Sequence, residues 1–431
     1  MRTLLRSLLL PLVLLSAPAW AQQRVLTLDE ALRTASERQP QLRQAQSSTE
    51  AARARADQSR AGLLPQVNAS AGYQVSTTRN TGTTPVDGGT NLRRGSGFTV
   101  GATANQLLWD FGQTTGRYRA ARESAEAQEA SASQTRLDVL SNVSTAYFNV
   151  LAQQSLVTVA RETLENEVAH LQQVEAQVQV GTRAEIDLLQ QRTARANAQV
   201  QLIQAQNAYA TSKAQLNQSM GVEGPTDYAV QEVAVGQVEG EDLELNALVE
   251  QALTRRPDLT ASQRQIRAQE LQVSAARGGY LPSITASVSA NGVGTTPIDQ
   301  DFALTGQVGL SWPLFEGLRT RAEVREAQAN LRGVQAQQDA LRQQVRLEVE
   351  QALLGVRAAR ESLSATEEAA TNARARLRLA EGRYREGVGN IIELGDAQLD
   401  ATNAAAQRVQ AEYNLATARA QLERAIGLPR S

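Results

Sequence analysis

The chain offers few side chains that could perform covalent or acid–base chemistry. It has no cysteine and a single histidine, His170, among 431 residues. Thiolate catalysis, disulfides and cysteine-type zinc sites are therefore excluded. No Gly-rich phosphate loop and no carboxylate pair suited to acid and base roles stand out, so an enzyme is the weakest interpretation, with no catalytic residue, metal site or cofactor expected. We expect His170 to lie on the surface or in a seam of a helix.

Two acidic residues, Glu393 and Asp396, have a spacing that could serve transport. Residues three apart on a helix project from one face, so the two carboxylates would lie side by side. If several copies met around a pore, these carboxylates would form a ring that attracts cations. Without such an assembly, the preferred interpretation is two solvated acids in the first turn of a helix, where the helix dipole favours negative charge.

These acids follow the second of two very long predicted helices. Residues 117–180 contain neither Gly nor Pro, and residues 318–381 contain only Gly333 and Gly355. At 1.5 Å per residue the first stretch spans roughly 95 Å as one helix. Helices in compact domains average about 11–12 residues, so the chain is built to cover a distance.

Each long helix ends at a glycine turn and is followed by a second long helix. The turns are Gly181-Thr182 and Gly387-Val388-Gly389, and helices are predicted to return over 183–220 and 391–426. Each half therefore forms a long helical hairpin. Apolar residues at 164, 168, 171, 174 and 178 predict a seam for a partner helix, whereas those within 137–150 are numerous enough to pack on two sides.

The chain is an internal duplication. Gly62-Leu63-Leu64-Pro65 recurs 217 residues later as Gly279-Tyr280-Leu281-Pro282, and Gly181 recurs 206 residues later as Gly387. The second copy is therefore eleven residues shorter between Pro282 and Gly387. We place the deletion in or near a loop between two strands.

Each copy contains two segments of alternating polarity. They flank polar loops, the first of which is predicted over residues 77–97. Four strands of about 10–12 residues suit tilted transmembrane β-strands, although a half-buried soluble sheet alternates in the same way. Four strands cannot close a barrel, and an open edge in lipid leaves backbone groups unpaired. A membrane location would therefore require several chains to pool their strands.

Composition and the N-terminus complete the domain organisation. The 43 basic and 45 acidic residues give no attraction to nucleic acid. Arg2 and Arg6, an apolar run over residues 8–15 and Ala19-Trp20-Ala21 predict a signal peptide over residues 1–21. We assign residues 22–220 to the first repeat, which contains a β-hairpin at about 66–109. Residues 221–244 form a linker with a short strand near 228–233. Residues 245–431 form the second repeat, which contains a β-hairpin at about 283–314.

This order of elements resembles that of the TolC-type outer-membrane efflux proteins over essentially the whole mature chain. Three motifs share the resemblance: Gly62-Leu63-Leu64-Pro65, Gly181-Thr182-Arg183 and Ala214-Gln215-Leu216. The resemblance implies an α+β membrane protein: a homotrimer with a twelve-stranded barrel in the outer-membrane lipid of a Gram-negative bacterium and a periplasmic tunnel of coiled-coil hairpins. It also implies an exit duct for efflux or secretion that works with a periplasmic adaptor (membrane fusion protein) and an inner-membrane transporter.

The resemblance also implies a gate where the tunnel meets the glycine turns. Glu393 and Asp396 match the family's two acidic ring residues, Tyr384 matches a tyrosine that tethers the closed state, and Asp187 matches an aspartate on the opposing helix. The turns imply the adaptor-docking tips, formed by Gly181, Thr182, Arg183, Gly387, Val388 and Gly389. An arginine that the family often places two residues after the turn glycine is replaced here by Gly389.

Two other classes of protein remain as alternatives. A periplasmic coiled-coil adaptor has a single helical hairpin between small β-domains, and a structural coiled coil needs no alternating strands. Four aromatic residues where strands meet helices suit a membrane interface and packing at the junction equally well: Trp109, Phe111, Trp312 and Phe315. The sequence does not identify the cargo.

Overall fold

The computed structural model describes residues 24–80, 91–233 and 236–428, and the predicted signal peptide lies outside these ranges. The first part of the chain forms β1 (Arg24–Leu26), α1 (Leu28–Arg38), α2 (Pro40–Ala61), β2 (Gln66–Asn80), β3 (Asn91–Trp109), α3 (Gln113–Gln179), α4 (Glu185–Met220) and β4 (Tyr228–Val230). The second part forms α5 (Leu245–Arg255), α6 (Pro257–Gly278), β5 (Ser283–Gly294), β6 (Asp301–Ser311), α7 (Arg319–Arg385) and α8 (Ile391–Ala425).

The two long helices predicted from the sequence are confirmed. Both α3 and α7 contain 67 residues, which corresponds to about 100 Å. Gly333 and Gly355 lie inside α7 without interrupting it. The helices α4 and α8 run back along them, so each half contains one long hairpin of helices. Among the helices of the described ranges, none combines the length and apolar character that a membrane crossing requires.

Equivalent helices in the two halves have nearly the same length. The pairs α1/α5, α2/α6 and α3/α7 contain 11, 22 and 67 residues each, and α4/α8 contain 36 and 35. The difference in length between the copies therefore lies in the β-hairpin. β2 and β3 have 15 and 19 residues, whereas β5 and β6 have 12 and 11.

The first hairpin has the predicted bounds, 66–109, but its strands are longer than the sequence predicted. The ladder between β2 and β3 continues through Thr77, which pairs with Arg94, to Asn80, which pairs with Asn91. The ends of the predicted loop 77–97 are therefore strand, and the expected strand length of about 10–12 residues was wrong for this hairpin. The physical reason is that ladder hydrogen bonds use the backbone and persist where side-chain alternation fades into a polar run.

The four strands form one antiparallel sheet whose faces differ in polarity. The order is β2-β3-β5-β6, so β2 and β6 are the edges. The register places Val67 beside Ala104, Ala104 beside Val288, and Ala286 beside Val308. Partners in register project to one side, so the apolar rows of all four strands coincide. This apolar face comprises Val67, Ala69, Ala71, Tyr73, Phe98, Val100, Ala102, Ala104, Val288, Ala290, Phe302, Leu304, Val308 and Leu310.

A second, two-stranded sheet lies near the middle of the long helices. The predicted short strand near 228–233 is present as β4, and it pairs in parallel with β1, a strand that the sequence did not predict. The hydroxyl of Tyr147 on α3 donates to the backbone oxygens of Leu26 and Gln231 at 3.1 and 2.7 Å. The apolar segment of α3 around Tyr147 is buried against α1, β1, β4 and α8, as its many apolar residues predicted.

The linker is more firmly held than the sequence indicated. Glu241, only 3% exposed, accepts hydrogen bonds from Arg419 on α8 at 3.0 and 3.1 Å and is also paired with Arg360 on α7. These hydrogen bonds lower the pKa of Glu241, although burial alone would raise it. Apart from β4, the described residues of 221–244 form turns and irregular chain, as expected of a linker. Long-range ion pairs at Glu241 hold this segment against α7 and α8.

Candidate gate at the helical tips

The tips of the two helical hairpins have the same backbone turn. In the first, the amides of Gly181 and Thr182 donate to the carbonyls of Val178 and Gln177, both at 3.0 Å. In the second, Gly387 and Val388 donate to Tyr384 and Arg383 at 3.1 and 3.0 Å. This pair of bonds is the Schellman motif, which requires a left-handed residue after the helix. Gly181 and Gly387 supply it, each with a φ of 76°.

Arg183 joins the two tips to each other. Its guanidinium carbon lies 4.3 Å from the centre of the Tyr384 ring, and Nη2 donates to the Tyr384 carbonyl at 3.1 Å. A guanidinium stacked on an aromatic face at this distance is a cation–π contact. The first hairpin is therefore fastened to the end of α7 by one side chain of its turn.

The Tyr384 hydroxyl forms no hydrogen bond with Asp187. The hydroxyl oxygen is buried and has no hydrogen-bond partner within the described part of the chain. Burial raises the pKa of Tyr384, the charge of Arg183 opposes this, and the charge of Asp187 adds to it. Asp187 thus lies near enough to act on Tyr384 electrostatically, while the direct contact is made by Arg183.

A small apolar core lies behind the tips. Val174 on α3, Tyr384 on α7 and Leu394 on α8 are buried in it. Val178, a member of the predicted seam, packs against it, together with Leu188. The core therefore holds both hairpins together just above their turns.

The two acids of the predicted gate lie at the start of α8. The side chain of Asn390 caps this helix by accepting from the amide of Glu393 at 2.7 Å. One carboxylate oxygen of Glu393 lies 3.2 Å from Nε of Arg383 on α7, and Asp396 is exposed one turn further along. Both carboxylates are thus on one side of α8, and the geometry of one chain fits both the helix-start and the ring interpretation.

Gly389 sits where a side chain would be crowded. A Cβ built there would lie 3.0 Å from the Tyr384 amide nitrogen and 3.1 Å from the Arg383 carbonyl carbon, and the Gly389 amide donates to the Arg383 carbonyl at 2.9 Å. A larger residue would have to displace this turn. The arginine that contacts Tyr384 is Arg183 of the other hairpin.

His170 lies two to three turns above the first tip, in a seam as predicted. Its Nε2 is 3.7 Å from a carboxylate oxygen of Glu381 on α7. Burial lowers the pKa of His170, and Arg385 lowers it further, while Glu381 raises it. Sequence reasoning missed this pair and the Arg183–Tyr384 contact, because the partners are about 200 residues apart and share no local pattern.

The surface of the tips carries exposed apolar side chains. Ile186 and Ile392 occupy equivalent positions after the two turns, and Val180 and Val388 lie in the turns themselves; all four are more than half exposed. Apolar side chains grouped at the end of a molecule are typical of a surface that meets a partner.

Known proteins share both the sequence pattern and the fold. A family model described as "Outer membrane efflux protein" matches residues 31–222 and 248–428. The solvent efflux pump outer membrane protein SrpC of Pseudomonas putida is 26% identical over 346 residues, which cover 77% of this chain and 71% of that protein. The outer membrane protein TolC of Escherichia coli is 24% identical over 410 residues, covering 90% and 79%.

A solved structure has the same fold. The outer membrane protein VceC of Vibrio cholerae superimposes with a TM-score of 0.80 at 20% identity, covering 93% of this chain and 96% of that one. The matched proteins are channels rather than enzymes. The chain therefore belongs to the outer membrane efflux protein family and is an exit duct of the Gram-negative outer membrane that extends into the periplasm.

Proposed function

We propose that three copies of the chain close one continuous duct, with a twelve-stranded barrel in the outer membrane and a helical tunnel below it. The main support is the four-stranded sheet, whose apolar rows coincide on one face. Five side chains on that face are mostly exposed: Val67, Phe302, Leu304, Val308 and Leu310. A half-buried soluble sheet would need a layer packed on this face. In a membrane, lipid covers this apolar face, so no packed protein layer is needed.

The unpaired strand edges support several chains per barrel. Within the described residues, β2 and β6 each pair with another strand on one side only. In lipid their free amides and carbonyls would lack partners, which costs several kcal/mol per group by order of magnitude. Pairing β6 of one chain with β2 of the next satisfies both edges, and three copies supply a closed ring of twelve strands.

Assembly would convert the tips into a gate. Three copies of Glu393 and Asp396 would bring six carboxylates to one constriction, which attracts cations and disfavours anions. The contact between Arg183 and Tyr384 would hold the hairpins in the closed arrangement, with Asp187 beside it. Opening then requires the second hairpin to move away from the first.

We further propose that the tips dock a periplasmic adaptor that links the duct to an inner-membrane transporter. The support is the exposed apolar surface at both turns, which includes Ile186 and Ile392, and the names of relatives described as components of efflux pumps. The docking residues would be Gly181, Thr182 and Arg183 in the first tip and Gly387, Val388 and Gly389 in the second. The transporter would do the work while cargo diffuses through the duct.

The assembly is tested by mass measurement of the full chain purified in detergent, by light scattering and chemical cross-linking. A trimer is expected, because closure of the sheet needs twelve strands. A stable monomer that stays in solution without detergent would contradict the proposal.

The gate is tested by single-channel conductance in planar bilayers. In the double variant E393A/D396A we expect weaker block by divalent and trivalent cations, since the ring of carboxylates is lost. E367A/E368A, which removes two exposed acids of α7 about five turns from the tip, is the matched control. Equal cation block in both variants and the unmodified duct would refute the gate.

A further inference from the structure

A partly open cavity, lined by both apolar and polar side chains, lies between the first helical hairpin and α8, above the tip. It has a volume of about 210 Å³. Glu167 and Thr163 line it from α3, Gln191 from α4, and Gln398 and Thr402 from α8. The hydroxyls of Thr163 and Thr402 are 3.2 Å apart and close one side of the cavity. The cavity therefore separates polar groups of the two hairpins.

On one side of the cavity is a donor without an acceptor. Gln398 is only 5% exposed, and its amide nitrogen Nε2 has no hydrogen-bond partner within the described residues. Buried side-chain donors in folded proteins are nearly always satisfied by protein or by ordered water. Gln398 is one of the residues that line the cavity.

On the other side is a buried carboxylate that accepts a hydrogen bond from Gln191. Glu167 is buried, and Gln191 Nε2 donates to one of its oxygens at 2.5 Å and to its backbone carbonyl at 3.4 Å. Burial raises the pKa of Glu167, and the Gln191 hydrogen bond opposes the rise. A carboxylate has about four acceptor positions, so a single side-chain donor leaves most of them unused.

We propose that this cavity binds a small cluster of ordered water molecules that bridges the Gln398 amide of α8 to the Glu167 carboxylate of α3. Water fits because one molecule accepts from the amide and donates to the carboxylate. A cation would be repelled by the amide N–H groups, and an anion by Glu167. At about 30 Å³ per molecule the cavity holds several waters.

The water bridge would connect the two hairpins through hydrogen bonds that can exchange when α8 moves. This role rests on the proposed gate. Gln398 is two residues from Asp396 on α8, so movement of the acidic ring displaces this side of the cavity. A direct packed contact would have to break in such a movement. Water-mediated hydrogen bonds can exchange partners and re-form.

The first test is the apparent Tm of the full chain in detergent. With bound water, Q398M should lower the Tm by several degrees, because it removes the bridge but keeps the side-chain volume. In a dry cavity, Q398M removes an unsatisfied donor, so an unchanged or raised Tm would overturn the proposal. Q407M, an exposed glutamine of the same helix, is the matched control and should leave the Tm unchanged.

A second measurement distinguishes the bridge from general packing at position 398. Combining Q398M with E167Q should give a smaller loss than the two single variants added together, because both act on one water cluster. Strictly additive losses would count against the bridge. A high-resolution crystal structure should show water within hydrogen-bond distance of Gln398 Nε2 and Glu167, and a cavity empty of density would refute it.

Failure of the gate and failure of the bridge give different results. If E393A/D396A leaves cation block unchanged while Q398M still lowers the Tm, the gate is wrong and the water site stands. If E393A/D396A weakens the block while Q398M raises the Tm, the water site is wrong and the gate stands.

Discussion

At the scale of single residues, the side chain that contacts Tyr384 from the first tip is Arg183. We expect Arg183→Ala to loosen the tip, because a partly desolvated cation–π contact contributes about 1–2 kcal/mol. Faster hydrogen–deuterium exchange over residues 174–190 and 380–397, with a larger open fraction in bilayer recordings, is the expected result.

Arg183→Lys is the matched variant for this contact. Lysine keeps the charge but not the planar stacking and carbonyl hydrogen bond of the guanidinium, so we expect an intermediate effect. Exchange rates equal to those of the unmodified chain in both variants would show that Arg183 does not fasten the tips.

His170 gives the tip a pH dependence whose sign follows from its environment. The pKa of His170 is lowered below its usual value of 6.5, mainly by burial. The unfolded chain therefore binds a proton at higher pH than the folded one, and stability falls as the pH drops below about 6.5. One proton contributes at most about 1.4 kcal/mol per pH unit.

We expect the apparent Tm of the unmodified duct to fall between pH 7.5 and 5.5 by more than that of the variant His170→Gln, measured in one detergent and salt. Glutamine is polar and similar in size, but it does not titrate. Because His170 is the only histidine, parallel pH profiles for the two proteins would show that this residue contributes nothing.

At the scale of elements, the glycine turns set where each long helix ends. Gly181 and Gly387 are left-handed, and a Cβ at either would meet no atom within 4 Å. The substitutions G181A and G387A should therefore cost only the conformational strain of a left-handed alanine, about 1 kcal/mol. Thermal unfolding of each variant should show a lower apparent Tm.

Gly333 is a matched control, because its substitution by alanine should change the apparent Tm in the opposite direction. It lies inside α7, where an added Cβ would meet no atom within 4 Å, and alanine is favoured over glycine within a helix by about 0.5–1 kcal/mol. G333A should therefore raise the apparent Tm. If all three substitutions shift it in the same direction, backbone conformation does not explain the turns.

At the scale of the whole molecule, the two faces of the sheet should respond differently to charge. Leu304 lies on the apolar face, and its neighbour Thr305 lies on the polar face of the same strand. An arginine facing lipid costs about 2–4 kcal/mol near the middle of the bilayer. We expect L304R to reduce the trimer recovered from outer membranes, whereas T305R should assemble and change the conductance. If T305R prevented assembly and L304R did not, the polar face rather than the apolar face would be the one that contacts lipid.

The amino-acid sequence by itself determined the long helices, the two β-hairpins and their order along the chain. Helix periodicity, glycine turns and strand alternation depend on residues a few positions apart, so the long helices, the two tips and the duplication were predictable. The exact extent of β2 and β3 was not, because backbone pairing continues where the side-chain pattern ends.

Only the tertiary structure decided which distant side chains meet. The pairing of Arg183 with Tyr384, the burial of Glu241 between two arginines, and the cavity between Glu167 and Gln398 depend on how far one long helix is shifted along another. That shift is set by packing summed over many turns. No short stretch of sequence encodes it, so the contacts of the gate appear only when the helices are placed side by side.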